Sequence, residues 1–201
     1  MPRWDFFVRF GLFARPRFLE PEVCAAVCAE ALSAGAREAE VYRQGDDRVA
    51  EELRRTKIAG ISSVTAQLLS ERLRGVLPEV DAHFTAGLRD LEEPQVLAYR
   101  PGDYFHAHRD SSDDGAAPAY LRQRRVSVVL FLNGQAGSPG PVNYTGGSLT
   151  FYGLSSEPGW EKVGFHLEGE AGLLVAFRSE IRHAVEPVTT GQRFTVVSWF
   201  F

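Results

Sequence analysis

Residues 126–133 read Val-Ser-Val-Val-Leu-Phe-Leu-Asn and, with Arg124 and Arg125 ahead of them, form the run RRVSVVLFLN. The run is short, β-branched and almost wholly apolar, and a Gly/Pro-rich stretch (NGQAGSPGP) follows at once. Those features describe a β-strand. Working outward, the same texture recurs in QVLAY (95–99), GSLTFYG (147–153), AGLLVAF (171–177) and RFTVVSWFF (193–201), separated by turn clusters such as RPGD and TTGQ. Many short strands with such turns predict a β-sandwich or barrel over the second half of the chain.

The first half has a different period. Residues 21–35 (PEVCAAVCAEALSAG) open on Pro21, close on Gly35 and carry spaced apolar residues, as a helix does. Val64, Leu68, Leu69, Leu73 and Val76 predict a second helix over 62–77, capped by Ser62 or Ser63. A further helix is expected over 79–90, and a short strand over 37–42 before a QGDD turn. The fold class is therefore α+β, mainly β, with helices first and a β-barrel second, packed as one unit.

Composition bounds the partners. A chain of 201 residues suggests one domain, and 44% apolar with 24% charged residues is ordinary for a globular protein. A net charge of -4 argues against nucleic acid as a partner. Cys24 and Cys28 share one helical face and read as small buried residues. The opening MPRWDFFVRFGLF is interrupted by Asp5 and Arg9 and lacks the order of a secretory signal; it reads as an initial strand or packed arm of a cytoplasmic protein. No stretch is long and apolar enough to span a bilayer, so no membrane partner is expected.

The segment with chemistry in it is YRPGDYFHAHRD (99–110). On a strand over 103–110, His108 and Asp110 would face the same way, bringing one imidazole and one carboxylate together. His106 shares that face on an ideal strand, so spacing leaves it open as a rival. His183, in SEIRHAVEPV, approaches a late strand and supplies a third ligand type. Two histidines and one carboxylate on one face leave open positions on an octahedral metal, the pattern of non-haem iron(II) oxygenases. Arg193 follows ten residues after His183, and adjacent strands joined by PVTTGQ would aim it into the same cavity. A guanidinium is the natural fork for a carboxylate, and Thr195 faces the same way with a hydroxyl to donate.

The order His-x-Asp, RRVSVVLFLN, GGSLTFY, His and then Arg-x-Thr resembles the prolyl 4-hydroxylase-like branch of the 2-oxoglutarate/iron(II)-dependent oxygenases, over roughly residues 94–201. The resemblance implies a double-stranded β-helix, or jelly-roll, barrel with N-terminal helices packed on one sheet. It implies one domain over 1–201, with 1–93 as helical support and 94–201 as the catalytic core. It assigns iron(II) to His108, Asp110 and His183, and the distal carboxylate of 2-oxoglutarate to Arg193 with Thr195. Tyr99 matches a tyrosine that hydrogen-bonds 2-oxoglutarate, and Arg124 an arginine near the substrate. The implied co-reactants are 2-oxoglutarate and dioxygen, with ascorbate as a reductant. The implied reaction is hydroxylation of an unactivated C–H bond, coupled to decarboxylation of 2-oxoglutarate to succinate. The substrate is a prolyl or other side chain in a protein or peptide, or a small molecule.

Two departures bear on the substrate: collagen-type members usually carry lysine where Arg193 stands, and Phe105 occupies a place that is often tyrosine. A non-catalytic metal-binding or sensing jelly roll is the alternative, but it would not need Arg193. A cupin-like enzyme would use more histidines. The kinase-like His-Arg-Asp of 108–110 lacks its continuation. His83 and His166 have no partner motif, and Gly146–Gly147 read as a tight loop or bulge. The sequence leaves the oligomeric state open.

Overall fold

The apolar runs of the second half become strands sandwiched between helices on one side and a second sheet on the other. The computed structural model describes residues 4–34, 36–38, 53–136, 143–155 and 157–201. In chain order, the first half comprises α1 (Trp4–Val8), β1 (Phe13–Arg15), α2 (Pro21–Ser33), β2 (Ala36–Glu38), β3 (Arg54–Arg55), β4 (Lys57–Ala59) and α3 (Ser63–Phe84). Then follow β5 (Gln95–Tyr99), β6 (Tyr104–His108), α4 (Ala119–Gln123), β7 (Val126–Phe131), β8 (Tyr144–Gly146) and β9 (Leu149–Tyr152). The chain ends with β10 (Gly164–Leu167), β11 (Leu174–Arg178), β12 (His183–Val185), β13 (Val188–Gly191) and β14 (Arg193–Phe200).

Among the described residues, a seven-stranded sheet runs β1-β11-β7-β14-β5-β4-β2 and a five-stranded sheet runs β10-β9-β12-β6-β3, with β13-β8 as a separate pair. From β5 onward the chain passes back and forth between the two larger sheets, which is the jelly-roll topology expected from the resemblance. All pairings within them are antiparallel.

Side-chain alternation sorts each long strand of the larger sheet into two faces. Val126, Val128, Leu130, Ala176, Phe194, Val196 and Phe200 pack outward against Leu69, Leu73, Val76 and Val80 of α3 and Cys24, Val27 and Ala31 of α2. Leu97, Tyr99, Val129, Phe131, Val175 and Phe177 pack inward against Leu149, Phe151, Leu167 and Val185 of the smaller sheet. Both faces are covered, so these strands read as continuous apolar runs. Burial pushes the Cys24 thiol up to about 11 and Cys28 to about 12, in keeping with a core Cys24 and a partly buried Cys28 packed against it.

Three expectations change here. The helix predicted over 62–77 and the further one over 79–90 are one helix running through Pro78. A proline interior to a helix costs about 3 kcal/mol, and the buried stripe that continues through Val80 and Phe84 offsets it. Ser62 is the cap, accepting from the Thr65 amide at 3.3 Å, and Thr85 closes the helix in the left-handed conformation. Of the two readings of the N-terminus, the packed arm is the one found, built as a short helix with Phe7 buried and then an edge strand, rather than as one initial strand. Of the strand predicted over 37–42, residues 36–38 pair with 57–59; residues 39–42 and the QGDD turn lie outside the described residues.

Candidate metal and co-substrate site

β6 and β12 lie side by side in the smaller sheet, with His183 opposite His108. Two residues later on β12, Val185 faces Phe105, three residues back on β6. The extra residue in β6 is a β-bulge, and it breaks the period of two. It lets the Phe105 ring stack on His108 at 3.4 Å between centroids and 13° between planes, which side chains three apart on a regular strand could not do. His106 is exposed on the other side of this irregularity and contributes only its carbonyl, which accepts from His108 Nδ1 at 2.8 Å.

The strand ends at His108, earlier than the 103–110 span expected, and Asp110 is held by other means. Its amide donates to the Ser179 carbonyl at 3.0 Å, and the Ser127 hydroxyl donates to Oδ2 at 2.7 Å. The result is a cluster in which ligand atoms of His108, Asp110 and His183 all lie within 4.8 Å of one another. Nε2 of His108 is 3.3 Å from Asp110 Oδ1, and Nε2 of His183 is 3.4 Å from Oδ2. The His183 Nδ1 meets the Ile181 carbonyl at 2.9 Å. Both rings therefore spend Nδ1–H on backbone carbonyls and turn an Nε2 lone pair toward the carboxylate.

This donor set fits a divalent metal. Adjacent ligands around an octahedral ion with bonds of ~2.1 Å stand about 3 Å apart, close to the separations seen. Burial pushes the His183 imidazole down to about 4, against the pull of Asp110, so it is neutral and able to coordinate near pH 7. Burial would raise the Asp110 carboxyl, but the neighbouring His183 and His108 and the Ser127 hydroxyl outweigh it and hold it well below the usual range. Phe177 meets the His183 ring edge-on at 4.7 Å, walling that side with apolar surface.

Arg193 lies on the facing sheet. The adjacency of the two strands expected from sequence, with β12 next to β14, does not hold: β12 is in the smaller sheet and β14 in the larger, with β13 intervening. The two residues approach the interior from opposite walls. Arg193 is 1% exposed and stands in register beside Tyr99 of β5. Its Nη1 donates to Thr195 Oγ1 at 3.3 Å, its Nε has no hydrogen-bond partner, and no carboxylate pairs with it among the described residues. The guanidinium lies 4.9 Å from the Tyr99 ring centroid and 5.3 Å from that of Phe131. A buried cation without a counter-ion is costly unless a ligand supplies the charge.

Gly146 and Gly147 both adopt positive φ, and a Cβ on Gly146 would fall 2.4 Å from the Pro187 carbonyl oxygen. The tight loop expected is present, and it also packs on the site: a Cβ on Gly147 would come 3.2 Å from Arg193 Cδ. Arg124 donates Nε and Nη2 to Glu92 at 2.6 and 2.7 Å, stacks on Trp199 at 3.6 Å, and reaches the Asp110 carbonyl at 3.4 Å. His83 and His166 sit away from the cluster, on Gly11 and Thr150 respectively. Sequence reasoning missed Ser127, Ser179 and Glu92; no local motif marks them. It also missed Arg54, whose guanidinium lies 4.8 Å from the Phe105 ring.

The model of the 2OG-Fe(II) oxygenase superfamily matches residues 94–201, and the chain belongs to that family. The family uses iron(II), 2-oxoglutarate and dioxygen, and the donor set and unpaired Arg193 described above suit the first two. A PKHD-type hydroxylase of Picosynechococcus sp. is 32% identical over 139 residues, 67% of this chain and 54% of that protein. The chain spans about half the length of the curated relatives it matches. Among solved structures, a Pseudomonas putida prolyl-4-hydroxylase superposes with a TM-score of 0.71 at 24% identity, covering 98% of this chain and 95% of its own. A Trichoplax adhaerens prolyl hydroxylase, in complex with a hypoxia inducible factor oxygen degradation domain peptide fragment, gives 0.67 at 20% identity, covering 95% and 83%. These two likenesses concern the fold.

Proposed function

We propose that this chain is an iron(II)- and 2-oxoglutarate-dependent dioxygenase that hydroxylates an unactivated C–H bond in a prolyl or other side chain of a protein or peptide. The observation that carries this reading is one interior with two complementary walls. A His-Asp-His donor set lies on one, and a buried arginine without a counter-ion lies on the other. A metal site alone would need only the first; the second calls for an anionic co-substrate.

In this reading His108 Nε2, Asp110 and His183 Nε2 hold iron(II), and Arg193 with Thr195 holds the distal carboxylate of 2-oxoglutarate. Bound together, metal and co-substrate would activate dioxygen, which is the oxidant: 2-oxoglutarate would give up two electrons and take one oxygen atom as it becomes succinate and carbon dioxide, and the other oxygen atom would go to the substrate C–H bond. The chain's own residues orient and insulate. Ser127 ties back Asp110 Oδ2, favouring coordination through one oxygen and leaving metal positions open. Phe151 and Phe177 exclude water around His183. Tyr99, in register with Arg193, would hydrogen-bond 2-oxoglutarate. Arg124, expected at the substrate, has two of its nitrogens committed to Glu92, so we assign it to positioning Asp110 through that residue's carbonyl.

A peptide substrate is favoured by the peptide-bound prolyl hydroxylase of the same fold. Residues 1–201 would act as one unit, with 94–201 as the catalytic core and α2 and α3 as its buttress. No helix among the described residues is long and apolar enough to cross a membrane, which suits the cytoplasmic setting we propose.

The test is anaerobic titration of the iron(II)-loaded chain with 2-oxoglutarate, following the visible metal-to-ligand charge-transfer band. The expected result is a saturable band that His183→Ala abolishes. A folded, iron-loaded chain without the band would overturn the reading.

A further inference from the structure

Among the described residues, the two larger sheets end on β1, β2, β3 and β10. Charged side chains on an edge strand discourage pairing with another chain, and three of these edges carry them. β1 ends on Arg15, which pairs with Glu79 at 2.7 Å. β2 contains Arg37 and Glu38, and β3 is Arg54 and Arg55. β10 is the exception. It reads Gly-Phe-His-Leu, with no lysine, arginine, carboxylate or proline, and it pairs only with β9. Its outer row of backbone groups is therefore open to a further strand.

The surface beside that edge is aromatic. The Phe165 ring of β10 lies 5.6 Å from Phe6 and 5.8 Å from Phe10, and stacks with Trp160 at 5.8 Å and 18° between planes. Phe6 is 43% exposed, Trp160 45% and Val163, next to the strand, 41%. Clustered apolar exposure of this kind marks an interaction surface. The charges interleaved with it have both signs. Asp5 and Arg9 belong to the α1 side, and Glu157, Glu161 and Lys162 to the turn before β10. Such a rim has no positive excess to draw an anionic membrane or a nucleic acid. Across a twofold axis, however, the acids of one copy can meet the bases of the other. An antiparallel strand pair is likewise its own complement under that symmetry.

We propose that the surface is covered by a second copy of this chain. β10 pairs antiparallel with its counterpart, joining the two five-stranded sheets into one, and Phe6, Trp160 and Val163 pack across the contact. A stable contact takes about 800 Å² from each partner, which a four-residue strand cannot supply alone, so the aromatic cluster is part of the interface. Each copy offers one uncharged edge, so the assembly closes at two. The inference is independent of the oxygenase reading, because the surface includes neither the donor set nor Arg193.

The experiment is sedimentation velocity of the full chain over about a hundredfold range of concentration, with wild type and the double variant Trp160→Lys/Val163→Lys. Both side chains are solvent-exposed, so the core is untouched, while like charges would face each other across the axis. The expected result is a wild-type dimer whose Kd rises at least about 100-fold in the variant. Hydrogen exchange at the Gly164–Leu167 amides reads the edge directly, with protection in the dimer that is lost on dilution. A wild type that stays monomeric would overturn the proposal, as would a dimer that the variant leaves intact or an assembly that grows beyond two copies. Should the variant not fold, exchange in the wild type decides alone, and amides unprotected at the highest concentration overturn the proposal. A monomer that instead cosediments with phosphatidylglycerol vesicles would assign the surface to a lipid headgroup layer and overturn it as well.

Discussion

Strand Arg193–Phe200 pairs without interruption against both of its neighbours, whereas strand Tyr104–His108 carries an extra residue within five and pairs raggedly. The first carries Arg193, the proposed co-substrate anchor, and the second His108, a proposed metal ligand. A carboxylate anchor needs one side chain at one depth, and the middle of a long buried sheet supplies that through simple alternation. A facial metal set needs ligands from different backbone segments to converge on one point. A regular pleat cannot curl to do so, and a bulge re-aims side chains at the cost of ladder hydrogen bonds. The regular sheet is thus the frame and the irregular one the instrument.

That contrast is open to challenge by substitution. Asp110→Ala removes the one anionic member of the proposed ligand set and should lower turnover at least ~1000-fold, about 4 kcal/mol of barrier. Far-UV circular dichroism should be unchanged, because the frame lies elsewhere. A variant turning over at the wild-type rate would remove Asp110 from the centre. Arg193→Ala should weaken 2-oxoglutarate binding about 100-fold, near 3 kcal/mol, with iron(II) affinity unaltered. Loss of iron in that variant would mean the two walls are not separate. Ser127→Ala should weaken iron(II) or manganese(II) binding by roughly tenfold, as Asp110 Oδ2 is released. Calorimetric titration showing wild-type affinity would deny the serine its positioning role. Smallest of all, His106→Ala should change metal affinity less than about twofold, since its side chain faces away. A loss comparable with that of Ser127→Ala would show that the bulge does not turn His106 out.

The strands of the frame were legible because burial on both faces leaves a mark in every residue, as in Val126–Phe131. The ligand types were legible because His-x-Asp, a distal histidine and Arg-x-Thr are chemically conspicuous. The exclusion of His106 was not, since spacing treats it as the equal of His108 and only the inserted residue in β6 separates them. Nor was the sheet assignment of His183. The stretch between it and Arg193 looks like a hairpin turn, but it forms β13 and carries the chain across the sandwich. The division expected between residues 77 and 79 fails for a similar reason: packing along the whole of α3 overrules the local breaker Pro78.

The sequence by itself determined which chemical groups are present and which segments are apolar enough to be buried strands. It also determined that Gly146 and Gly147 permit a backbone most residues avoid. Only the tertiary structure decided which groups meet. Ser127 reaches Asp110 across 17 positions, Glu92 holds Arg124 across 32, and Tyr144 comes to lie beside Arg193 from a different strand pair. Such encounters depend on sheet order and on a single inserted residue, which no local pattern encodes. Convergence of side chains is a property of the packed layers, and the chain's texture specifies the layers without naming the contacts between them.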